Sequence, residues 1–321
     1  MEIKKYKNLL LLLLNQNYFQ RQNKIGIQGC QSVSKAIKNM TNLNKLILNL
    51  NYNNIEDQGL NYIAQAIIKL NKLTHFVIKA DYCFINKKGL TYLNQSVSEL
   101  LILEKLAYYL NGNQLGNGGF SSFSLLNDNN KIKELCLQFN SIQIFEDDIS
   151  QLGNFLSSLK ILKYLQLSFD SSKLNQEALR ELGLQISKSQ SIQILYLSLK
   201  DNKIKQEDII QLVEAIQGLS NLREIIIDCY HNNIGLGQKG LSQLGKALSN
   251  FQQLQRISLN LNMNLLENNH IFDLSQELKN CKNLLQIQLY AQDNLISNQC
   301  NFKTKVLFKK LRRLVLMYCC F

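Results

Sequence analysis

The segment Leu43-Asn-Lys-Leu46-Ile-Leu48-Asn-Leu50-Asn-Tyr-Asn53-Asn-Ile55 sets apolar residues three, two and two positions apart, and follows them with an asparagine. The same spacing returns as Leu73, Phe76, Ile78 and as Leu103, Leu106, Tyr108, Leu110, the latter followed by Asn113. Further copies begin at Ile132, Leu162, Ile192, Leu222, Leu254 and Leu284, and a tenth is assigned to Leu311. The starts 43, 73, 103, 132, 162, 192, 222, 254, 284 and 311 are separated by 30, 30, 29, 30, 30, 30, 32, 30 and 27 residues. A fixed period of this length marks a stack of similar units rather than an ordinary globular core.

Between the copies the apolar spacing changes to three and four, the signature of a helix with one buried stripe. Leu60, Ile63, Ala66, Ile67 and Leu70 form the first stripe, and Ile209, Leu212, Ala215, Ile216 and Leu219 form a later one. Strand and helix alternating every thirty residues imply parallel strands joined by helices. Gly59, Gly89 and Gly240 recur at one phase and are expected just before the helices. Asn53, Asn113 and Asn233 are expected to satisfy backbone groups in the bend after the strand.

Upstream, Val33, Ala36, Ile37 and Met40 sit where a preceding helix belongs. Residues 1–42 therefore read as a degenerate N-terminal repeat or cap, and 43–321 as one continuous solenoid. Leu9 to Leu14 is expected to be a capping strand rather than a signal peptide, because the apolar run is short and no small-residue cleavage site follows. The last unit ends within its strand at Phe321, so further chain, a partner or self-association is expected to cover it.

Ten copies of LxxLxL in phase, with asparagine and helix following at about thirty residues per unit, make the chain similar to the ribonuclease inhibitor-like subclass of leucine-rich repeats. The resemblance implies an α/β horseshoe with about ten parallel strands on its concave face and helices on its convex face. It also implies that a protein partner is bound by side chains projecting from the concave strands, without catalysis.

Residues alternate faces along a strand, so the positions between the core leucines should face the concave surface. Tyr164, Ile194 and Tyr196, beside Glu224, Asp228 and Arg256, form the preferred partner-binding patch: aromatic anchors rimmed by charge. Lys45, Lys79 and Lys105, with His75, form a second patch suited to an acidic segment. In the last unit Arg313, Val315 and Met317 are assigned to the same face.

Composition adds mainly exclusions. The net charge of +12 is spread along the chain apart from clusters at Lys4, Lys5, Lys7 and at Lys303 to Arg313, so nucleic acid is not favoured. The 8 cysteines show no zinc-type spacing and read as reduced thiols of an intracellular, cytoplasmic protein. No run approaches the ~18 apolar residues of a membrane helix. Gly112, Gly116, Gly118 and Gly119 lack a phosphate-loop pattern and read as an irregular loop. His75, His231 and His270 lie at different phases, so no metal, cofactor, small-molecule substrate or catalytic set is expected. The sequence thus points to a scaffold or interaction module; regulation of a small GTPase and, behind it, RNA binding are the alternatives.

Overall fold

The computed structural model describes residues 24–129, 131–236, 241–309 and 314–320. Leu9 to Leu14, Gly240 and Arg313 lie outside them. The chain divides into two compact units, Met1–Leu162 and Lys163–Phe321.

In the first unit α1 (Gly26–Ile37) precedes β1 (Lys45–Asn49), α2 (Glu56–Ile67), β2 (His75–Lys79), α3 (Lys87–Ser98), β3 (Lys105–Tyr109), a 3-10 turn (Ser121–Leu126), β4 (Glu134–Gln138) and α4 (Glu146–Ser158). In the second, β5 (Tyr164–Ser168), α5 (Gln176–Ser187), β6 (Ile194–Ser198), α6 (Gln206–Ala215), β7 (Glu224–Asp228), α7 (Ser242–Ser249), β8 (Arg256–Asn260), α8 (Asn268–Leu278), β9 (Gln286–Tyr290), α9 (Asn298–Lys309) and β10 (Leu316–Cys320) follow. Within each unit successive strands pair in parallel, each with the next in sequence.

The core follows the repeat. Leu46, Leu48, Leu50 and their equivalents in the next eight repeats are buried, as are the helix stripes Leu60, Ile63, Ile67 and Leu212, Ile216. The third repeat replaces its helix with the 3-10 turn and fills the space with aromatics: Phe120 lies 4.5 Å from Phe139, and Phe123 stacks on Phe155 at 5.5 Å. Tyr108 takes a core leucine position there, and its hydroxyl donates to Asn94 Oδ1 at 3.0 Å. Asn94 in turn donates to Ser122 Oγ at 2.9 Å, so no member of this buried set lacks a partner.

Two side-chain ladders run along the repeats. Ten residues after six of the starts, an asparagine, buried in all but the last case, binds the bend of its own unit and of the one before it. Asn232 accepts from the amides of Asn202 and Ile204 and donates to the carbonyls of Leu199 and Cys229, all within 2.9–3.0 Å. Asn53, Asn113, Asn202, Asn264 and Asn294 repeat the role, whereas Cys83, Ile142 and Ser172 take the position elsewhere. The ladder residue is therefore Asn232 and not the expected Asn233, whose neighbouring asparagine conceals the phase in the sequence.

Two residues earlier, a second ladder uses one side-chain oxygen to accept the next repeat's amide. Asn51 receives Asp81 N, Asp81 receives Asn111 N and Asn111 receives Asn140 N; in the second unit Asp170 receives Lys200 N and Asn262 receives Gln292 N. Between the ladders the backbone turns left-handed in every repeat, at Tyr52, Tyr82, Gly112, Ser141, Ser171, Asp201, His231, Met263 and Asp293. This conformation costs an ordinary residue about 1–2 kcal/mol. Amide bonds to the following repeat hold it, as from Tyr52 N to Asp81 O and from Asp201 N to Tyr230 O. Gly112, at φ +63°, is set apart from these residues by space: a Cβ on it would run into the Tyr82 ring.

Gly59 and Gly89 lie inside the first turns of α2 and α3 rather than before them. At Gly89 the reason is capping. Asp57 of the preceding repeat reaches over to accept from the amides of Asn86 and Gly89 at 2.8 and 3.0 Å, and a Cβ on Gly89 would lie 2.5 Å from its Oδ1. At the same phase of α4 and α6, Asp148 and Asp208 instead accept the N-cap amides of Phe145 and Lys205 from within their own helices.

The last repeat corrects the expected register. Met317 and Cys319 pair with the core positions Ile287 and Leu289, while Leu316, Tyr318 and Cys320 stand beside Gln286, Gln288 and Tyr290. The unit therefore starts at Leu314, a step of 30 and not 27 from Leu284. Leu311, Leu314 and Leu316 imitate LxxLxL, and Met and Cys at the true core positions disguise it. An odd shift exchanges the two faces of a strand, so Met317 leaves the expected exposed set. Val315 precedes the strand and is 83% exposed.

Candidate partner-binding face

In the second unit the strand pairing sets three rows of side chains on the exposed sheet face. Tyr164, Ile194, Glu224 and Arg256 stand side by side in the first, Gln166, Tyr196, Ile226 and Ser258 in the second, and Ser168, Ser198, Asp228 and Asn260 in the third. All six residues of the preferred patch thus lie on adjacent strands. They do not make one cluster. Arg256 Nη1 meets Glu224 Oε2 at 3.0 Å in the first row, and the Tyr164 hydroxyl turns along its own strand to donate to Gln166 Oε1 at 2.9 Å.

Tyr196 and Asp228 belong to a second group that includes two residues beyond the strand ends. Lys200 Nζ lies 3.1 Å from Asp228 Oδ2, and Asp170 Oδ1 accepts from Ser198 Oγ at 2.7 Å besides its ladder bond. Burial pushes the Asp170 carboxyl up, opposed by the Ser198 hydrogen bond. Burial also pushes the Tyr196 hydroxyl up, and Asp228 adds to it. For Lys200 burial acts downward, but Asp228 and Asp170 more than offset it and its pKa is raised. The alternation of strand residues does not point to Asp170 and Lys200, which lie beyond the strand ends. The signal for them is positional: both occupy the phase of the second ladder, where Asn51, Asn111 and Asn262 keep a side chain at the rim of the sheet.

The first unit presents a different surface. Lys45, His75, Lys105 and Glu134 form its first row, Ile47, Val77, Ala107 and Cys136 its second, and Asn49, Lys79, Tyr109 and Gln138 its third. The middle row is an apolar seam in which Val77, Ala107 and Cys136 are buried. Burial pushes the Cys136 thiol up, against lowering by Tyr109 and Lys105. The three lysines are not gathered together. Lys105 is paired with Glu134 at 2.6 Å, Lys79 Nζ lies 5.2 Å from the Tyr109 ring centroid, and Lys45 is exposed on β1. Glu134, on the strand next to Lys105, neutralises part of this patch.

One group on the second unit imitates a catalytic set. Ser171 Oγ donates to Asp201 Oδ2 at 3.1 Å, and His231 Nδ1 lies 3.3 Å from Asp201 Oδ1. The carboxylate stands between hydroxyl and imidazole, whereas activation of a serine needs the imidazole in the middle. No group of three or more metal-ligating side chains occurs among the described residues. No helix among them is long and apolar enough to cross a membrane.

The repeat phase, the parallel register and the buried ladder decide the fold. Both units are leucine-rich-repeat solenoids. No protein-family model matches the sequence, and no curated protein matches it. Among solved structures the solenoid is similar to an internalin C2 from Listeria monocytogenes, at 18% identity and a TM-score of 0.42 over 89% of this chain and 91% of that one. It is also similar to an internalin (inlF) from Listeria monocytogenes, at 15% identity and a TM-score of 0.39 over 93% and 88% of the two chains. The yeast Rad7 and Elc1 complex matches at 16% identity, with a TM-score of 0.46, over 98% of this chain and 78% of that one.

Proposed function

We propose that this solenoid is a non-catalytic protein-interaction module of the ribonuclease inhibitor-like type, working inside the cell and engaging its partner mainly through the sheet face of the second unit. Tyr196 carries the reading. It is a half-buried aromatic on a rigid strand, beside Ile226 and within the charge network of Asp170, Lys200 and Asp228, a combination typical of interface anchors. Tyr164 and Ile194 extend the apolar area, and the Glu224–Arg256 pair forms a polar edge. Lys45, Lys79 and Lys105 on the first unit supply a second contact for an acidic stretch of the same partner.

The test is affinity capture with the immobilised chain, identification of the bound protein by mass spectrometry, and titration of that protein against variants. Tyr164→Ala with Tyr196→Ala is expected to weaken binding about thirtyfold, the loss of one strong anchor at ~2 kcal/mol. Undiminished binding by the folded double variant removes this face from the reading.

A further inference from the structure

The loop edge of the first unit, where strands lead into helices, holds an open cavity of about 630 Å³ at the entrances of α2 and α3. Its volume falls in the range of small-ligand sites. Three successive repeats contribute, through residues 54–58, 84–92 and Gln114.

Phe84 presents an aromatic ring at this cavity. It is 55% exposed, so its ring gains little from burial, and its backbone is left-handed at φ +59°, a conformation that suits asparagine or glycine far better. Other repeats place Asn54, Lys173, Lys203 and the 49% exposed Leu265 at the same phase and backbone geometry, and among these Phe84 is the one aromatic. An aromatic ring more than half in water at the mouth of a cavity is available to contact a ligand.

The rest of the lining says what. Tyr92 of α3 offers a second ring, with Lys88 Nζ 5.8 Å from its centroid. Around the rings stand Asn54, Gln58, Gln114 and Glu56, whose side chains make no hydrogen bond to the protein among the described residues. Amides and a carboxylate side by side present donors and acceptors together, which matches hydroxyl groups that both give and accept. Aromatic faces match the C–H surface of a pyranose ring. Charge argues against a phosphate-bearing ligand: Glu56 and Asp57 face a single cation, Lys88, and Asp57 is already occupied in capping α3.

We propose that this cavity is a binding site for a neutral carbohydrate, with Phe84 and Tyr92 as stacking platforms and the surrounding amides as hydroxyl partners. It is independent of the protein-binding reading, which concerns the sheet faces and none of the residues that line this cavity.

The experiment is saturation-transfer NMR of the full chain with maltohexaose, cellohexaose, laminarihexaose and chitohexaose at millimolar concentration. At least one is expected to receive saturation, and Phe84→Asn is expected to weaken that binding about tenfold or more through loss of the stacking surface. Because asparagine suits the left-handed backbone, the same variant is expected to melt no lower than the parent protein. Absence of transfer to all of these sugars overturns the proposal. So does binding unchanged in Phe84→Asn, or a Phe84→Asn protein that melts well below the parent, since the ring would then be structural.

Discussion

The two sheet faces are built on the same thirty-residue lattice, yet the middle row of the first unit is an apolar seam while that of the second sets an aromatic and an aliphatic residue, Tyr196 and Ile226, between the polar Gln166 and Ser258. Val77, Ala107 and Cys136 are buried by their neighbours although they point away from the core. Gln166, Tyr196 and Ile226 in the equivalent places remain half-exposed. Repeat phase fixes where a side chain stands, and its size and neighbours fix whether a partner can reach it. The first face offers its rim, Lys45, Lys79 and Lys105, whereas the second offers its centre.

The comparison extends beneath the surface, where the ladder of the second unit is the more regular. Ser172, Asn202, Asn232, Asn264 and Asn294 follow one another there, against Asn53, Cys83, Asn113 and Ile142 in the first unit. The largest expected effect comes from breaking it. Asn232→Ala would strand the amides of Asn202 and Ile204 and the carbonyl of Leu199 in a buried bend, while the Cys229 carbonyl keeps its bond from Asn264. At ~1–3 kcal/mol per unsatisfied group, partly relieved by water, a loss of about 3 kcal/mol is expected in urea denaturation. Ser172→Ala, at a position that uses only a hydroxyl, should cost ~1 kcal/mol. Equal losses at the two positions would show that the ladder does not set the stability of this unit.

These positions also show how much the sequence reveals. The leucine phase is legible in the sequence because one error in it exposes several apolar side chains, and it places the first nine strands. The asparagine phase was harder to read. Asn232 and Asn233 are adjacent and chemically identical, and only the closed hydrogen-bond set separates them. The tenth register failed because Met317 and Cys319 are weak signals beside Leu314 and Leu316. The side-chain groupings were the least legible: Lys105 with Glu134, Asp170 with Ser198, and the cavity at Phe84 all join residues 28 or more positions apart that no local pattern links.

The contrast in exposed charge gives a smaller effect. Replacing Lys45, Lys79 and Lys105 together by alanine is expected to weaken partner binding several-fold at low salt and progressively less as salt rises, since contacts between exposed charges contribute ~0–1 kcal/mol each and are screened. The Lys105–Glu134 pair already consumes part of that attraction, so Glu134→Gln alone should strengthen binding slightly. Binding with the same salt slope before and after the triple substitution would leave the second unit as the whole interface.

The smallest effect distinguishes structure from charge at a phase the two units share. Asp81 and Asp170 both serve the second ladder through one carboxylate oxygen, a role that Asn51 and Asn111 fill without charge. Burial pushes both carboxyls up, in Asp81 against hydrogen bonds from Asn111 and in Asp170 against that from Ser198. An acid whose pKa is higher folded than unfolded holds its proton more tightly in the native state, so it favours folding at pH below its unfolded value. That contribution is lost as pH rises through the folded value, because the buried group must then carry a charge. Asp81→Asn and Asp170→Asn keep the ladder acceptor and remove this penalty. Each variant should therefore gain stability relative to the parent as pH rises from the acid range to neutrality, in urea denaturation followed across pH. Asp170→Asn should gain less at neutral pH, since it also removes a charge that attracts Lys200. A gain of the opposite sign at both positions would mean that these carboxylates stay because their charge stabilises the loop edge, and the ladder would then be ionic as well as geometric.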